Sequence, residues 1–234
     1  MKHCFNIGIY WTFGLLFLNS CFNKPKNLPS ENISEGEILY KITYNQEVET
    51  NSMSFVYPKE MTLYFKDNKQ RLSYAGALGL YSFDFIFGDE HDTVYTLLKI
   101  NLLDMRVYIP TINENLLIFS KLSNEVITEL SDETKEIAGI IAKKAVVKLA
   151  ENDSYNISVW YSDDFKISSP NKNTPLHNVP GIPLESEITY KNVTFSYQAY
   201  KINSIKIEDD IFKVPYDYNV ISLSEMEELL NMVF

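Results

Sequence analysis

Leu80-Tyr81-Ser82-Phe83-Asp84-Phe85-Ile86-Phe87 is the stretch that decides the fold class. Side chains of an extended chain alternate between two faces, so Tyr81, Phe83, Phe85 and Phe87 fall on one side and Ser82 and Asp84 on the other, until Gly88-Asp89-Glu90 ends the run. Four rings on one face of a strand need a surface to bury against. The same two-residue period recurs to either side of this stretch. It marks strands over 37–44, where Ile38, Tyr40 and Ile42 share one parity, and over 61–66, 70–77, 93–100, 105–109, 140–149 and 155–161. A further run over 188–207 is bent or divided in two. Asp67-Asn68-Lys69 has the length and polarity of a hairpin connection. Eight or more strands call for a barrel or a sandwich.

Composition agrees. Of 234 residues, 14% are aromatic, with 16 Tyr and 14 Phe against 8 Gly, a balance that favours pleated sheet over helix bundles. Hydrophobic residues at 45% and charged residues at 22% provide for a buried core, and the length fits one β-rich domain. Asp plus Glu outnumber Lys plus Arg by 31 to 21, a net charge of −10, so no basic surface is on offer to nucleic acid.

Residues 1–20 read as a signal peptide rather than as part of the domain: Lys2 and His3 form a positive start, and Ile7 to Leu18 is an uncharged apolar run. That run is about twelve residues, shorter than the roughly 20 a helix needs to span a hydrocarbon core. Leu18-Asn19-Ser20-Cys21 resembles the bacterial lipobox, which implies cleavage ahead of Cys21 and diacylglycerol on its thiol. The alternatives are an ordinary cleaved signal with an incidental Cys, or an uncleaved anchor. The only other cysteine, Cys4, lies inside the signal, so the mature chain has no thiol for a disulfide, a zinc cluster or nucleophilic catalysis. Residues 21–35 carry the lipidated Cys and a polar, Pro-bearing tether, followed by a single domain over 36–234. Lys24 and Lys26 stand where some Bacteroidetes lipoproteins carry an acidic surface-export signal, which favours the periplasmic face of the outer membrane.

Two segments break the strand pattern. Residues 116–130 have mixed periodicity and room for a short helix, and residues 169–183 hold four of the nine prolines and read as a long loop. Near the C-terminus Ser224 and Glu227 have capping-box spacing, with Met226, Leu229, Leu230 and Val233 on one stripe of a final helix.

Three blocks carry a family resemblance: Glu133-Thr134-Lys135-Glu136-Ile137-Ala138-Gly139 followed by Lys143-Lys144-Ala145, then Val159-Trp160-Tyr161-Ser162-Asp163-Asp164, then Val179-Pro180-Gly181-Ile182-Pro183-Leu184-Glu185. In order and spacing the chain resembles the GLPGLI-type and related uncharacterised lipoproteins of Bacteroidetes over roughly residues 36–215. Ile140 and Ala142 stand where that family usually has an aromatic and a Cys. The resemblance implies an open half-barrel like that of the outer-membrane lipoprotein carrier and its receptor. The fold expected is therefore mainly β, a curved antiparallel sheet with a C-terminal helix and one or two short covering helices. Its apolar side is either plain core or a trough for acyl chains.

If a trough, its wall is expected from Leu63, Phe65, Tyr81, Phe83, Phe85, Val159, Tyr161, Phe195 and Tyr197, with Leu176, Val179 and Ile182 of the Pro-rich segment as a gate or as part of a rigid crossover. The inventory for covalent chemistry is thin. Asp89-Glu90-His91-Asp92 offers metal-type donors but sits at a turn where charge is ordinary, and His177 lies in the Pro-rich loop. Asp163 and Asp164 stand at a strand end, where carboxylates usually face water. The reading names no catalytic residue, no metal ligand and no cofactor. It leaves two functions: an anchored binder of a hydrophobic ligand, or an accessory lipoprotein docking an outer-membrane transport or assembly complex.

Overall fold

The computed structural model describes residues 32–45, 54–88, 93–112, 125–149, 152–190 and 193–233. Strands account for 59% of the described residues and form one open, curved sheet that does not close into a barrel. In chain order they are β1 (Glu35–Tyr44), β2 (Glu60–Lys66), β3 (Lys69–Ala75), β4 (Tyr81–Phe87), β5 (Thr93–Ile100), β6 (Met105–Ile112), β7 (Val126–Ile137), β8 (Ile140–Leu149), β9 (Asn152–Ser162), β10 (Ile182–Tyr190), β11 (Val193–Asn203) and β12 (Asn219–Val220), followed by helix α1 (Leu223–Val233). Their order across the sheet is β12-β6-β5-β4-β3-β2-β1-β11-β10-β9-β8-β7. All neighbours are antiparallel except β12, which lies parallel to β6. Two meanders are thus joined through β1 and β11, in register at Ile38↔Ile202 and Tyr40↔Ala199 on either side of a bulge.

The predicted strands are found with small shifts at their ends, and the run over 188–207 is divided into β10 and β11. Three readings change. Residues 126–130 belong to strand β7 rather than to a helix, while 113–124 lie outside the described residues. The overlooked signal is the two-residue turn Ala138-Gly139, both at positive φ, which is the hairpin geometry that matches strand twist. Residues 182–183 of the expected loop are the start of β10. The capping box is Ser222 with Glu225, not Ser224 with Glu227: the Glu225 N–H donates to Ser222 Oγ at 3.3 Å and the Ser222 N–H to Glu225 Oε2 at 2.8 Å. Both pairs have the same spacing, and the chain becomes helical at Leu223, one residue after the serine that caps it.

The face carrying Phe83 and Phe85, called the inner face below, is buried along the sheet. Over β4–β6 it is covered by α1, whose fully buried Met226 packs with Phe83, Phe85, Val94, Leu98 and Ile109. Over the centre and the β8–β9 end it is covered by the segment 163–181, through Phe165, Leu176 and Val179. The opposite face is also buried at β4 and β5, where Ile86 and Leu97 pack under Ile207 and Phe212. The alternation in β4 therefore does not separate a wet face from a dry one. Asp84, expected on a polar face, is 3% exposed, and the Arg71 Nε–H donates to its Oδ1 at 3.3 Å while Ser73 Oγ donates to the same oxygen. The short covering elements are 3-10 turns, among them Asp209–Phe212. Among the described residues no helix is long and apolar enough to cross a membrane.

Candidate functional site

The Pro-rich segment is a packed cover built from consecutive turns. Backbone N–H groups of Thr174, His177 and Val179 donate to the carbonyls of Asn171, Thr174 and Leu176 at 3.0, 3.1 and 2.8 Å. Prolines 170, 175 and 180 suit this path because they give up no ladder bond and cost little backbone entropy to order. The buried Asn171 side chain ties the cover together: its Nδ2 donates to the carbonyls of Val179 at 3.0 Å and Gly181 at 2.8 Å. Gly181 is required by close approach, since a Cβ there would lie 2.1 Å from the Ser162 carbonyl oxygen.

Between the cover and the inner face lies a cavity of about 80 Å³. It separates the central apolar cluster from the one beneath Leu176 and Val179. None of the described side chains lining it is charged. Its polar groups are the hydroxyls of Tyr40, Tyr74, Tyr197 and Thr174 and the amides of Gln70 and Asn171. The Tyr40 hydroxyl donates to the Pro183 carbonyl at 2.8 Å. Burial, reinforced by neighbouring tyrosines, raises the Tyr40 and Tyr74 phenols well above their ordinary value, and burial pushes Tyr197 up to about 12. The wall is therefore neutral at physiological pH.

The structure brings five of the twelve expected wall and gate residues to this cavity: Leu63, Phe195, Tyr197, Leu176 and Ile182. The others are placed elsewhere in the core. Phe65 packs edge-on against Phe165 of the cover, centroids 5.4 Å apart. Phe83 and Phe85 pack on each other at 4.7 Å beneath α1. The Tyr81 hydroxyl donates to the Val56 carbonyl at 2.9 Å. Val159 and Tyr161 pack with Val179 of the cover. Parity offered a signal for wall residues that the sequence reading left out, because Gln70, Leu72 and Tyr74 alternate along β3 and Tyr40 shares a face with Ile38 and Ile42.

Small-molecule sites usually enclose about 300–1,000 Å³, so the cavity takes a chain-like molecule only when Leu176 and its neighbours move outward. The candidate polar clusters do not gather around it. His177 is exposed, with Nδ1 3.2 Å from the Thr174 carbonyl. The Lys143 ammonium donates to Asp163 Oδ2 at 2.8 Å on the surface, and that hydrogen bond holds the Asp163 carboxyl below its ordinary value. Asp89 to Asp92, Cys21 and residues 22–31 of the tether lie outside the described residues, whereas Ile33, expected in the tether, is buried and bridges to Phe165, and Glu35 opens β1. Among the described residues no group of three or more His, Cys, Asp or Glu side chains is arranged to hold a metal ion.

No family model and no curated protein matches the chain. Among solved structures it is similar to an uncharacterised conserved protein from Thermus thermophilus, at 10% identity and TM-score 0.47, covering 81% of this chain and 90% of that one. It is also similar to a chain of the Pseudomonas aeruginosa MucA/MucB complex, at 12% identity and TM-score 0.40, covering 77% of this chain and 56% of that one. A crystal structure of MucB is similar at 9% identity and TM-score 0.34, covering 80% of this chain and 60% of that one.

Proposed function

We propose that this is a lipid-anchored envelope protein, held through Cys21 at the periplasmic face of the outer membrane, that binds a hydrophobic ligand between its sheet and the 163–181 cover without covalent chemistry. The three sequence blocks support a place among the GLPGLI-type lipoproteins, and the lipobox-like Leu18-Asn19-Ser20-Cys21 supports the anchor. The observation that carries the ligand reading is the gap between the sheet and its cover, whose described lining side chains are uncharged and mostly apolar. It lies directly under a cover that Asn171 ties down from within, beside the Ser168 N–H donating to Asn68 Oδ1 and the Ile33–Phe165 bridge at its start. Displacing Leu176 and Val179 would open a slot lined by Leu63, Leu72, Ile188 and Phe195, which is the surface an acyl chain needs.

The test is to export the full chain carrying Cys21→Ser, purify it without detergent, and look for co-purifying lipid by native mass spectrometry beside an organic extraction. A stoichiometric acyl-bearing species is the expected result. An empty, folded protein that takes up no fatty-acid ester would overturn the reading and leave the interior as plain core.

A second reading, docking to an envelope complex, is favoured by one observation. β7 is the last strand of the sheet, and among the described residues nothing pairs with its outer edge, where Ile127 and Leu130 are 55% and 59% exposed. If this edge docks a partner, Ile127→Asp with Leu130→Asp abolishes co-purification of the protein with that complex from mild detergent.

A further inference from the structure

We propose that Gln70 is the polar anchor of the cavity and that the ligand held there carries one neutral carbonyl head group, an ester, an amide or a protonated carboxylic acid, on an otherwise apolar chain. This rests on the reading of the cavity as a ligand site and names the chemistry that site selects.

Gln70 shares its parity in β3 with Leu72 and Tyr74, so the strand aims all three at the inner face. Its cross-strand neighbours are Phe65 and Phe87, which leave it in an apolar setting. It is 2% exposed and lines the cavity. Among the described residues no hydrogen bond reaches its carboxamide, and neither of its polar atoms is among those sealed in the interior without a partner, so the group, with two N–H donors and a carbonyl acceptor, faces the open space of the cavity. Buried polar groups in folded proteins are nearly always partnered, and one that is not points to a water or a ligand. If the position were only core, a Leu or Met of similar volume would fill it without an unmet amide, as Leu63 and Leu72 do on the neighbouring pair.

The chemistry of the wall narrows the class. With no cation among the described lining side chains, an ionised head group would be buried unpaired, which is far more costly than burying a hydrogen-bonded neutral one. A carbonyl oxygen can accept from Gln70 Nε2, and an amide or acid can also donate to Oε1. Gln70 and Tyr74 stand four residues apart in β3, about 13 Å along the strand, which gives the cavity a polar end and a direction for the chain toward Leu63, Leu72 and Ile188.

The experiment uses the full chain with Cys21→Ser, stripped of lipid, and displacement of the apolar dye 1-N-phenylnaphthylamine by methyl decanoate or by dodecane, which match in length and differ in the ester. The unsubstituted site is expected to prefer the ester by about tenfold, the factor expected for one hydrogen bond gained by a buried group. Gln70→Met should bind both probes with the affinity the parent shows for dodecane, and should be no less stable than the parent when empty. Equal affinity of the parent for the two probes, or a preference that survives Gln70→Met, would overturn the assignment and leave a bound water as the amide's partner. A parent that binds neither probe would fail the ligand reading itself, which separates the two. Because the parent's own preference decides the question, the test stands even if the variant does not fold.

Discussion

Arg71 and Asp84 form an ion pair across β3 and β4, with the Nε–H donating to Oδ1 at 3.3 Å and a second guanidinium N–H donating to the Ile211 carbonyl at 3.1 Å. The pair thereby ties the Asp209–Phe212 turn to the sheet on the face opposite the cavity. Asp84 is buried, so its charge depends on partners inside the protein rather than on water.

Arg71→Met is expected to destabilise the fold by about 3–5 kcal/mol, because it strands a buried carboxylate. Adding Asp84→Leu to the same chain should recover most of that loss. Urea midpoints of the two variants check this, and a single substitution that costs nothing would show the pair to be incidental.

Alkaline pH should unfold the protein cooperatively. Burial raises Tyr40, Tyr44, Tyr74 and Tyr81 above the ordinary value of 10.0, and it raises Tyr197 to about 12. Stability is then fully present below pH 10, where these phenols are neutral in both states. It is lost as pH rises, because the unfolded chain ionises while the folded one resists. Each such group contributes a slope of about 1.4 kcal/mol per pH unit above 10, until its own folded pKa is passed. In a chain whose exposed tyrosines, Tyr200 and Tyr216 among them, are replaced by Phe, tyrosinate absorbance should therefore appear together with the loss of β-sheet circular dichroism, not ahead of it.

The cover should loosen as a unit when its pin is removed. Asn171→Ala deletes two buried hydrogen bonds and leaves the Val179 and Gly181 carbonyls unmet, at a cost of about 1–3 kcal/mol. Amide exchange should quicken across 163–181 and not across β4–β6. Gly181→Ala should act on the same segment by collision with the Ser162 carbonyl. Exchange that quickens everywhere would mean the cover is no separate unit.

Helix α1 is held by a fully buried methionine, and Met226→Ala should cost about 2–5 kcal/mol as a cavity opens over Phe83 and Phe85. Ligand uptake under the 163–181 cover should survive this change, because none of α1 lines that cavity.

The mature protein should carry the mass of the acyl chains on an N-terminal Cys21, and Cys21→Ser should remove that mass, if the lipobox-like tetrapeptide is processed as proposed. A parent chain that keeps its leader and carries no acyl mass would point instead to an uncleaved anchor.

Strand and site differ in how far they are legible in the sequence. Period-two alternation located β1 to β6 and β8 within a few residues, because a strand's apolar parity is written in its own sequence. The same logic missed β7, whose charged run shows little alternation; its exposed edge position removes the need for an apolar face. It set Ser82 and Asp84 on the face opposite the rings and could not say that this face is covered, since parity says which residues share a face and not what lies across from that face. Only the chain's return over Ile207 and Phe212 made the second face dry.

The sequence by itself determined the class of the fold, the C-terminal helix and the aromatic character of the interior, all of which follow from local periodicity and composition. The tertiary structure decided which aromatics are core and which border a cavity. Phe83 and Phe85 meet α1, about 140 residues further along the chain, whereas Leu63 and Tyr197 meet the gap under 163–181. Those outcomes depend on contacts between segments far apart in the chain, and no local pattern in a strand encodes what will be laid over it.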